Sequence, residues 1–276
     1  MPFSFERLTR DNFVDHPPFF PVYDYWYNLL VDAMNSVATN GEINTAILGE
    51  VPLCFLPSVN YQLLDDFDLS AASAAPLATW TVTEDDAACT QLLIDAVGGA
   101  LQLTNKATTD DNAQQIQSQQ ESFRLLVGKK LWYEARVRCP AADVTNLDLF
   151  IGLAETEDLT GVADNMPANG VGFTKTDAGV GTIYLASSDN GTNIVSPGSL
   201  KTLITNTWTR LGFYFDGGAT GSATITPYID GVAGSPLAAV TYATMAELAP
   251  IFMIRNGNNV TTQILDIDYV RVIQER

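Results

Sequence analysis

The sequence predicts an all-β fold, an antiparallel β-sandwich of jelly-roll type, preceded by a short N-terminal extension containing one helix. Three observations carry this reading. From Leu64 onward, short runs of alternating apolar and polar residues follow one another, many with an aromatic residue. Between them fall Gly98-Gly99, Asn190-Gly191, Asp216-Gly217-Gly218, Asp230-Gly231 and Asn256-Gly257, residues that accept the left-handed backbone of tight turns. The last run, Ile264 to Arg276, is long and amphipathic, and a terminal segment of that kind pairs inside a sheet or frays.

Residues 1–64 read as the extension and 65–276 as the sandwich. Pro17-Pro18-Phe19-Phe20-Pro21 holds too many prolines for a helix or a central strand, because each fixes φ and lacks an amide donor. Pro21 stands where a helix tolerates proline. Beyond it, Tyr23, Trp26, Tyr27, Leu30 and Met34 recur on one helical face, and Asp24, Asn28, Asp32 and Asn35 on the other. Asn40-Gly41 ends this helix, and Ile43–Val51 and Leu53–Leu56 follow as extended pieces broken by Pro52 and Pro57. So large an aromatic load on so few residues cannot make its own core. Phe19, Phe20, Tyr23, Trp26, Tyr27 and Leu30 are therefore interface candidates, packed either on the sandwich or on another subunit.

In the sandwich, strands are predicted at Leu77–Thr83, Ala100–Asn105, Ser122–Val127, Leu131–Cys139, Leu147–Ala154, Gly170–Thr174 and Thr182–Ser187. Further strands follow at Thr207–Phe215, Ala223–Ile229, Ile251–Arg255 and Gln263–Ile273. In Leu131–Cys139 the alternation sets Tyr133, Ala135, Val137 and Cys139 against Trp132, Glu134, Arg136 and Arg138. In Thr207–Asp216 it sets Leu211, Phe213 and Phe215 against Trp208, Arg210, Tyr214 and Asp216. Asp230-Gly231 is the sharpest hairpin signal. Thr244–Leu248 carries a helical hint of about one turn. Many short strands at this turn spacing argue a sandwich rather than βαβ units.

Charge narrows the function. The net charge is −18, from 32 acids against 14 bases, with no basic run, so neither nucleic acid nor an anionic membrane is expected as a partner. No uncharged apolar stretch approaches a membrane span, and Met1–Arg7 lacks the pattern of a secretory signal. Cys54, Cys89 and Cys139 form no C-x-x-C pair or disulfide framework, which fits synthesis in a cytoplasm. The single histidine, His16, precedes Pro17-Pro18, so the main domain has none for a zinc site or a Ser-His-Asp triad.

Glycoside hydrolysis on such a sandwich needs two carboxylates, about 5–5.5 Å apart in retaining enzymes. Glycosidases of the laminarinase type place them on one strand as E-x-D-x-x-E, a pattern this chain lacks. Glu155-Thr156-Glu157-Asp158 reads as a turn exit, and Asp266 and Asp268 share a face on the closing strand. There is no G-x-S-x-G, P-loop or dinucleotide fingerprint, and Gly170-Val171-Gly172 reads as a place of close packing. No cofactor is expected. Asp65-Asp66-Phe67-Asp68, Asp85-Asp86, Asp110-Asp111 and Asp164-Asn165 carry the oxygens a structural calcium takes. None matches an EF-hand loop, and acid pairs in turns of an acidic chain are usually solvated. If their strands are neighbours, Trp132, Arg136, Trp208, Arg210 and Tyr214 share one face suited to a glycan. The competing reading is an outer face covered by Trp–Arg stacking and Glu134–Arg salt bridges, with no ligand.

The ordered series from Asp65 to Arg276 resembles concanavalin-like (laminin-G-like) sandwich proteins of tailed-phage virions, known as head decoration or structural proteins. The matching residues begin with Asp65-Asp66-Phe67-Asp68, Trp80–Thr83, Gly99–Asn105 and Glu121–Leu125. Gly128–Arg136, Phe150–Leu153 and Gly170–Lys175 follow. Leu211–Gly217, Ile254–Gly257, Asp268-Tyr269-Val270 and Gln274-Glu275-Arg276 complete the series. The closing Asp-Tyr-Val-Arg-Val strand is also shared with laminarinase-type glycosidases, a likeness of fold alone. The resemblance implies a non-enzymatic cement protein on the capsid exterior, with the major capsid protein and sister copies as partners; a trimer would suit a threefold capsid position. It transfers no catalytic residue and does not reach residues 1–64. The alternative function is a carbohydrate-binding or adhesion module of a virion fibre that binds a host surface glycan, and a remote alternative is a glycoside hydrolase.

Overall fold

The protein is seen in a computed structural model that describes residues 60–67, 79–94, 99–105, 110–140, 144–162, 165–176, 181–257 and 261–276. The predicted helix and the interface candidates Phe19, Phe20, Tyr23, Trp26, Tyr27 and Leu30 lie outside the described residues, as do His16 and Cys54.

In chain order the strands are β1 (Asn60–Asp65), β2 (Trp80–Glu84), β3 (Thr90–Ile94), β4 (Ala100–Thr104), β5 (Ala113–Ser118) and β6 (Leu131–Arg138). They continue with β7 (Leu147–Ala154), β8 (Gly170–Lys175), β9 (Thr182–Asp189), β10 (Thr192–Val195), β11 (Lys201–Thr202) and β12 (Thr209–Phe215). The last five are β13 (Ala223–Ile229), β14 (Val232–Ala233), β15 (Leu237–Val240), β16 (Ala249–Asn256) and β17 (Ile264–Glu275).

They form two sheets packed face to face. The first has nine strands in the order β14-β13-β12-β6-β17-β4-β3, with β1 also on β17 and β15 also on β13. The second has eight, in the order β10-β9-β8-β7-β16-β5-β2, with β11 also on β9. The central registers are antiparallel, and the chain crosses repeatedly between layers: β6 lies in the first sheet, β7 and β16 in the second, and β17 in the first again. This is the jelly-roll antiparallel sandwich that the alternation predicts. The first sheet takes in β1, so the sandwich begins ahead of Asp65.

Alternation decides which side chains meet between the layers. On β6, Leu131, Tyr133, Ala135 and Val137 are buried and the intervening residues half-buried. Tyr133 stacks on Phe213 of β12 with centroids 4.9 Å apart, and Phe173 of β8 reaches the same ring from the opposite sheet at 6.3 Å. Full burial of one such side chain stabilises by about 1.5–3 kcal/mol. Trp80 of β2 packs on Phe252, and its indole N–H donates to Asp65 Oδ2 at 2.8 Å, tying the edge of one sheet to the other. On the closing strand β17, Leu265 and Ile267 point inward, then Val270 and Val272. That three-residue step breaks the period of two, and a bulge between Ile267 and Tyr269 absorbs it.

Four expectations change. Ser122–Val127 is not a strand; only Phe123 bridges to Leu248, because this segment crosses from the second sheet to the first. Its Arg124 amide instead bonds the Gln274 side chain at 2.9 Å. Thr244–Leu248 forms a bend and no helix; the Asp189 carboxylate accepts from the amides of Ala243 and Thr244 there. Among the described residues Glu134 makes no salt bridge with an arginine: its partner is the Tyr269 hydroxyl, while Arg136 and Arg138 pair with Asp268 and Asp266. Strands β1, β3, β5, β10, β11, β14 and β15 were not among those predicted.

Candidate functional site

The two outer faces of the sandwich differ in chemistry. On the second sheet, β5, β7, β8 and β16 are buried along their whole length, so both of their faces are covered. The cover is the segment between β7 and β8. Its Leu159 and Met166 pack on Phe150, Ala154, Ala186, Ile251 and Met253 in a second apolar cluster separate from the main core. The sheet is thin beneath it. Gly152 faces Gly172 across β7 and β8, and a Cβ on Gly152 would lie 2.2 Å from the Val171 carbonyl oxygen.

Polar side chains fasten the cover. The Gln115 amide donates to the Glu157 carbonyl and accepts from the Leu159 N–H, both at 2.7 Å. Gln117 donates to the carbonyls of Glu155 and Ala154 at 2.9 and 3.2 Å. Arg255 donates to the carbonyls of Leu159 and Thr160 at 3.0 and 2.9 Å. The acids of the predicted cluster take part in the same work. Glu155 accepts from the Ala246 N–H at 2.6 Å and from the Asn169 amide at 3.0 Å. Glu157 accepts from the Ala168 N–H at 2.7 Å, and Asp158 from the Thr160 N–H at 2.9 Å. All three carboxylates therefore hold turn backbone, as acids at a turn exit do.

On the first sheet, β6 and β12 are neighbours, and the register sets Trp132 beside Tyr214 and Arg136 beside Arg210. All five glycan-face candidates thus lie on one side of the sheet. The rings of Trp132 and Tyr214 are 4.6 Å apart and tilted by 32°. Trp208 receives two guanidinium groups, with Arg136 Cζ at 4.7 Å and Arg138 Cζ at 4.6 Å from its ring centre. Behind them lies a row of acids on β17. Asp266, fully buried, accepts from Arg138 Nε at 2.9 Å and Gln102 Nε2 at 2.8 Å, and Asp268 pairs with Arg136. Alternation sets both carboxylates on the arginine side, and the bulge brings Tyr269 there as well. Tyr269 donates to Glu134 Oε1 at 2.5 Å; burial first, then that bond and the Glu134 charge, push its hydroxyl well above the usual tyrosine range. Burial, then the charges of Asp216 and Glu275, also raise Tyr214.

The Arg210 guanidinium remains exposed; its Nη2 donates to the Asp230 carbonyl at 3.0 Å. Burial opposes ionisation of the Asp230 carboxyl. The Lys201 ammonium at 2.7 Å and the Arg210 amide at 2.9 Å outweigh it and hold the carboxyl low. Such a face offers aromatic surface and fixed polar groups side by side, the two elements a saccharide needs. The alternation of β6 already sets Glu134 and Arg138 beside Trp132 and Arg136; what sequence reasoning missed is that Asp266, Asp268 and Tyr269 join them, since only the cross-strand register brings β17 next to β6.

Two of the acids weighed for calcium hold turns, while Asp68 and Asp164 lie outside the described residues. Asp65 accepts from Trp80 and from the Phe67 N–H, and Asp86 from the Ala88 N–H. Among the described residues, no three His, Cys, Asp or Glu side chains gather around one point.

These two layers and their connections define a concanavalin-like, lectin-type jelly-roll sandwich. No protein-family model and no curated protein sequence matches the chain. Solved structures resemble it at low identity. An endo-1,3-β-glucanase from Streptomyces sioyaensis has a TM-score of 0.55 and 17% identity over 79% of this chain and 97% of that one. Peanut lectin gives 0.51 and 11%, over 78% and 97%. A protein of unknown function from Shewanella oneidensis gives 0.52 and 14%, over 79% and 87%. At these identities the likeness establishes the fold alone.

Proposed function

We propose that this chain is a non-enzymatic structural protein of a tailed-phage virion, a decoration or cement protein seated on the outside of the head. The observation that carries the non-enzymatic part is the closed outer face of the second sheet. Its covering segment is packed on apolar side chains, and the nearby carboxylates Glu155 and Glu157 accept backbone hydrogen bonds. The ordered resemblance of residues 65–276 to virion sandwich proteins supports the location. In this reading residues 1–64, with Phe19, Phe20, Tyr23, Trp26, Tyr27 and Leu30, contact the major capsid protein or sister copies. Apolar burial at about 25 cal/mol per Å² supplies the binding energy, and many sites per particle add avidity.

Quantitative mass spectrometry of purified particles tests the reading: a copy number near that of the shell protein is expected, and absence from the particle overturns it. A chain lacking residues 1–60 begins where the compact unit Tyr61–Arg276 begins, and is expected to fold without binding particles. Retained attachment by that truncation rules out the proposed docking segment.

A second reading, adhesion to a host surface glycan, is favoured by the Trp132–Tyr214 pair beside the exposed Arg210 guanidinium. A glycan screen with Trp132→Ala and Trp208→Ala tests it. Binding lost in both variants supports this face, and binding that survives both removes it.

A further inference from the structure

We propose that the glycan taken by the outer face of the first sheet carries a carboxylate, which the Arg210 guanidinium holds while the saccharide crosses bare backbone at Gly212 toward Trp132 and Tyr214. The inference rests on the adhesion reading of that face and names the class of its ligand.

The arginines of this face are not alike. Arg136 and Arg138 pair with Asp268 and Asp266 and stack on Trp208. Arg210 is exposed, and among the described residues no carboxylate stands within ion-pair distance of it. Its neighbour Asp230 offers the guanidinium only a main-chain carbonyl, at 3.0 Å, because the carboxylate is turned to the Lys201 ammonium and to the Arg210 amide. That one bond fixes the guanidinium over Gly231, where a Cβ would stand 3.2 Å from Nη2, so glycine leaves it room at the turn. A guanidinium carries its N–H donors in a planar fork that matches a carboxylate, and this one keeps most of them for a partner. A fork held beforehand loses less entropy when it binds.

Along β12, Arg210, Gly212 and Tyr214 share the outer side. At about 3.3 Å per residue, the first and last of these positions are roughly 13 Å apart, with bare backbone midway. The register sets Gly212 between Tyr228 on β13 and Glu134 on β6. A Cβ on Gly212 would have the Cβ atoms of these two at 3.7 and 3.8 Å, so their side chains wall a shallow gap. The gap joins Arg210 to the paired rings of Trp132 and Tyr214. Its length exceeds one pyranose ring, so the site fits an oligosaccharide with its acid at one end.

Charge is graded along the face. Arg138, Arg136 and Arg210 stand at one end. Asp216 and Glu275 stand at the other, where after burial they raise the Tyr214 hydroxyl, and Glu275 accepts from the Lys130 amide. Between the ends, Glu134 is in register with Arg271 and accepts from the Tyr269 hydroxyl. A ligand with one anionic end is therefore oriented, its carboxylate on Arg210 and a neutral ring over Trp132 and Tyr214. The net charge of −18 acts on the same choice. At physiological ionic strength that field is screened beyond about 8 Å, so one carboxylate in contact with a guanidinium is favoured. A saccharide with an acid on every unit meets the carboxylates at the far end and is not.

The experiment is binding of the full chain to immobilised glycan pairs that differ in one terminal carboxylate: glucuronate against glucose, galacturonate against galactose, and sialylated against unsialylated lactose. Wild type is expected to take an acidic member about tenfold more tightly than its neutral counterpart, the scale of one charge-assisted contact. Arg210→Gln is expected to lose that preference with unchanged urea unfolding. Equal binding of both members, or a preference that survives Arg210→Gln, overturns the inference and leaves the adhesion reading standing. Binding of no glycan, acidic or neutral, overturns both. Should Arg210→Gln fold poorly, competition on wild type decides. Displacement by the free acidic sugar of the bound pair and not by the neutral one supports the inference, and equal displacement by both overturns it.

Discussion

Replacing Glu155 by alanine separates a fastening carboxylate from a catalytic one. The side chain accepts two hydrogen bonds, from the Ala246 N–H ahead of β16 and from the Asn169 amide at the start of β8. Hydrogen bonds to charged groups contribute about 1.5–3 kcal/mol each. Here one bond is solvent-exposed and the other half-buried, so water re-solvates much of what the carboxylate leaves, and a combined loss of about 2 kcal/mol is expected. In a domain of this size that lowers Tm by about 2–4 °C per kcal/mol. In urea the midpoint falls with the slope unchanged, because the native fold and its buried surface persist. The assay is paired: urea unfolding of both proteins, and incubation of both with β-1,3- and β-1,4-glucans. A variant within about 0.5 kcal/mol of wild type refutes the fastening role. Hydrolysis by wild type that disappears in a stably folded Glu155→Ala protein replaces it with a catalytic one.

Gly152→Ala is expected to cost about 3 kcal/mol, at the upper end of overpacking, because the added carbon meets backbone atoms of Val171 and Gly172 that no rotamer change can clear. Gly161→Ala in the covering segment meets nothing within 4 Å and should stay within about 0.5 kcal/mol, so urea midpoints of the two test the β7–β8 register. Arg138→Ala leaves the fully buried Asp266 carboxylate with Gln102 alone. About 2–3 kcal/mol is expected, below the value for a sealed ion pair because Arg138 is a quarter exposed, and Arg138→Met with Asp266→Leu should recover most of it in a double-mutant cycle. Burial pushes the Cys139 thiol from 9.0 to about 12, against the Lys175 charge and with a push from Asp266. The folded value lies above the unfolded one, so this stability is fully present below pH 9 and falls between about pH 9 and 12, as the unfolded thiol ionises first. Burial raises Tyr133 in the same sense. Unfolding midpoints measured across that range should decline, and less steeply in Cys139→Ser.

What the sequence discloses is decided by where each strand's side chains go. Strands β6, β12 and β13 have one face in the core and one nearer water, so their alternation is plain. Strand β5 reads Ala113-Gln114-Gln115-Ile116-Gln117-Ser118, polar enough to pass for a loop, yet every residue is buried. Its glutamines face other protein groups, Gln115 and Gln117 holding the cover and Gln114 reaching Gln91, and no period records such a partner. Ser122–Val127 errs in the opposite direction: Phe123 and Leu125 alternate into the core as a strand would, but a glutamine side chain stands in for the neighbouring strand. The five face residues Trp132, Arg136, Trp208, Arg210 and Tyr214 were readable because β6 and β12 each declare an outward side. That Asp266 and Asp268, which share a face of β17, stand beside them was not, since only the cross-strand register places β17 next to β6.

The two outer faces differ in what they leave open to a ligand. A lectin-type sandwich can act on a saccharide only where a sheet face or a loop rim is open to a sugar ring. On the second sheet, the pair Gly152 and Gly172 brings two strands together without side chains, and Phe150, Ile251 and Met253 give Leu159 and Met166 a surface to bury. Opening it to a ligand means exposing that apolar cluster, and burial of each large member stabilises by about 1.5–3 kcal/mol. The first sheet exposes Arg210, and on the same face arginines stack on Trp208 and Trp132 pairs with Tyr214. Its carboxylates Asp266 and Asp268 are tied to those arginines, which suits a rigid contact surface better than proton transfer. The binding role proposed above rests on this stiff aromatic face, with arginines fixed over Trp208 and Trp132 held against Tyr214.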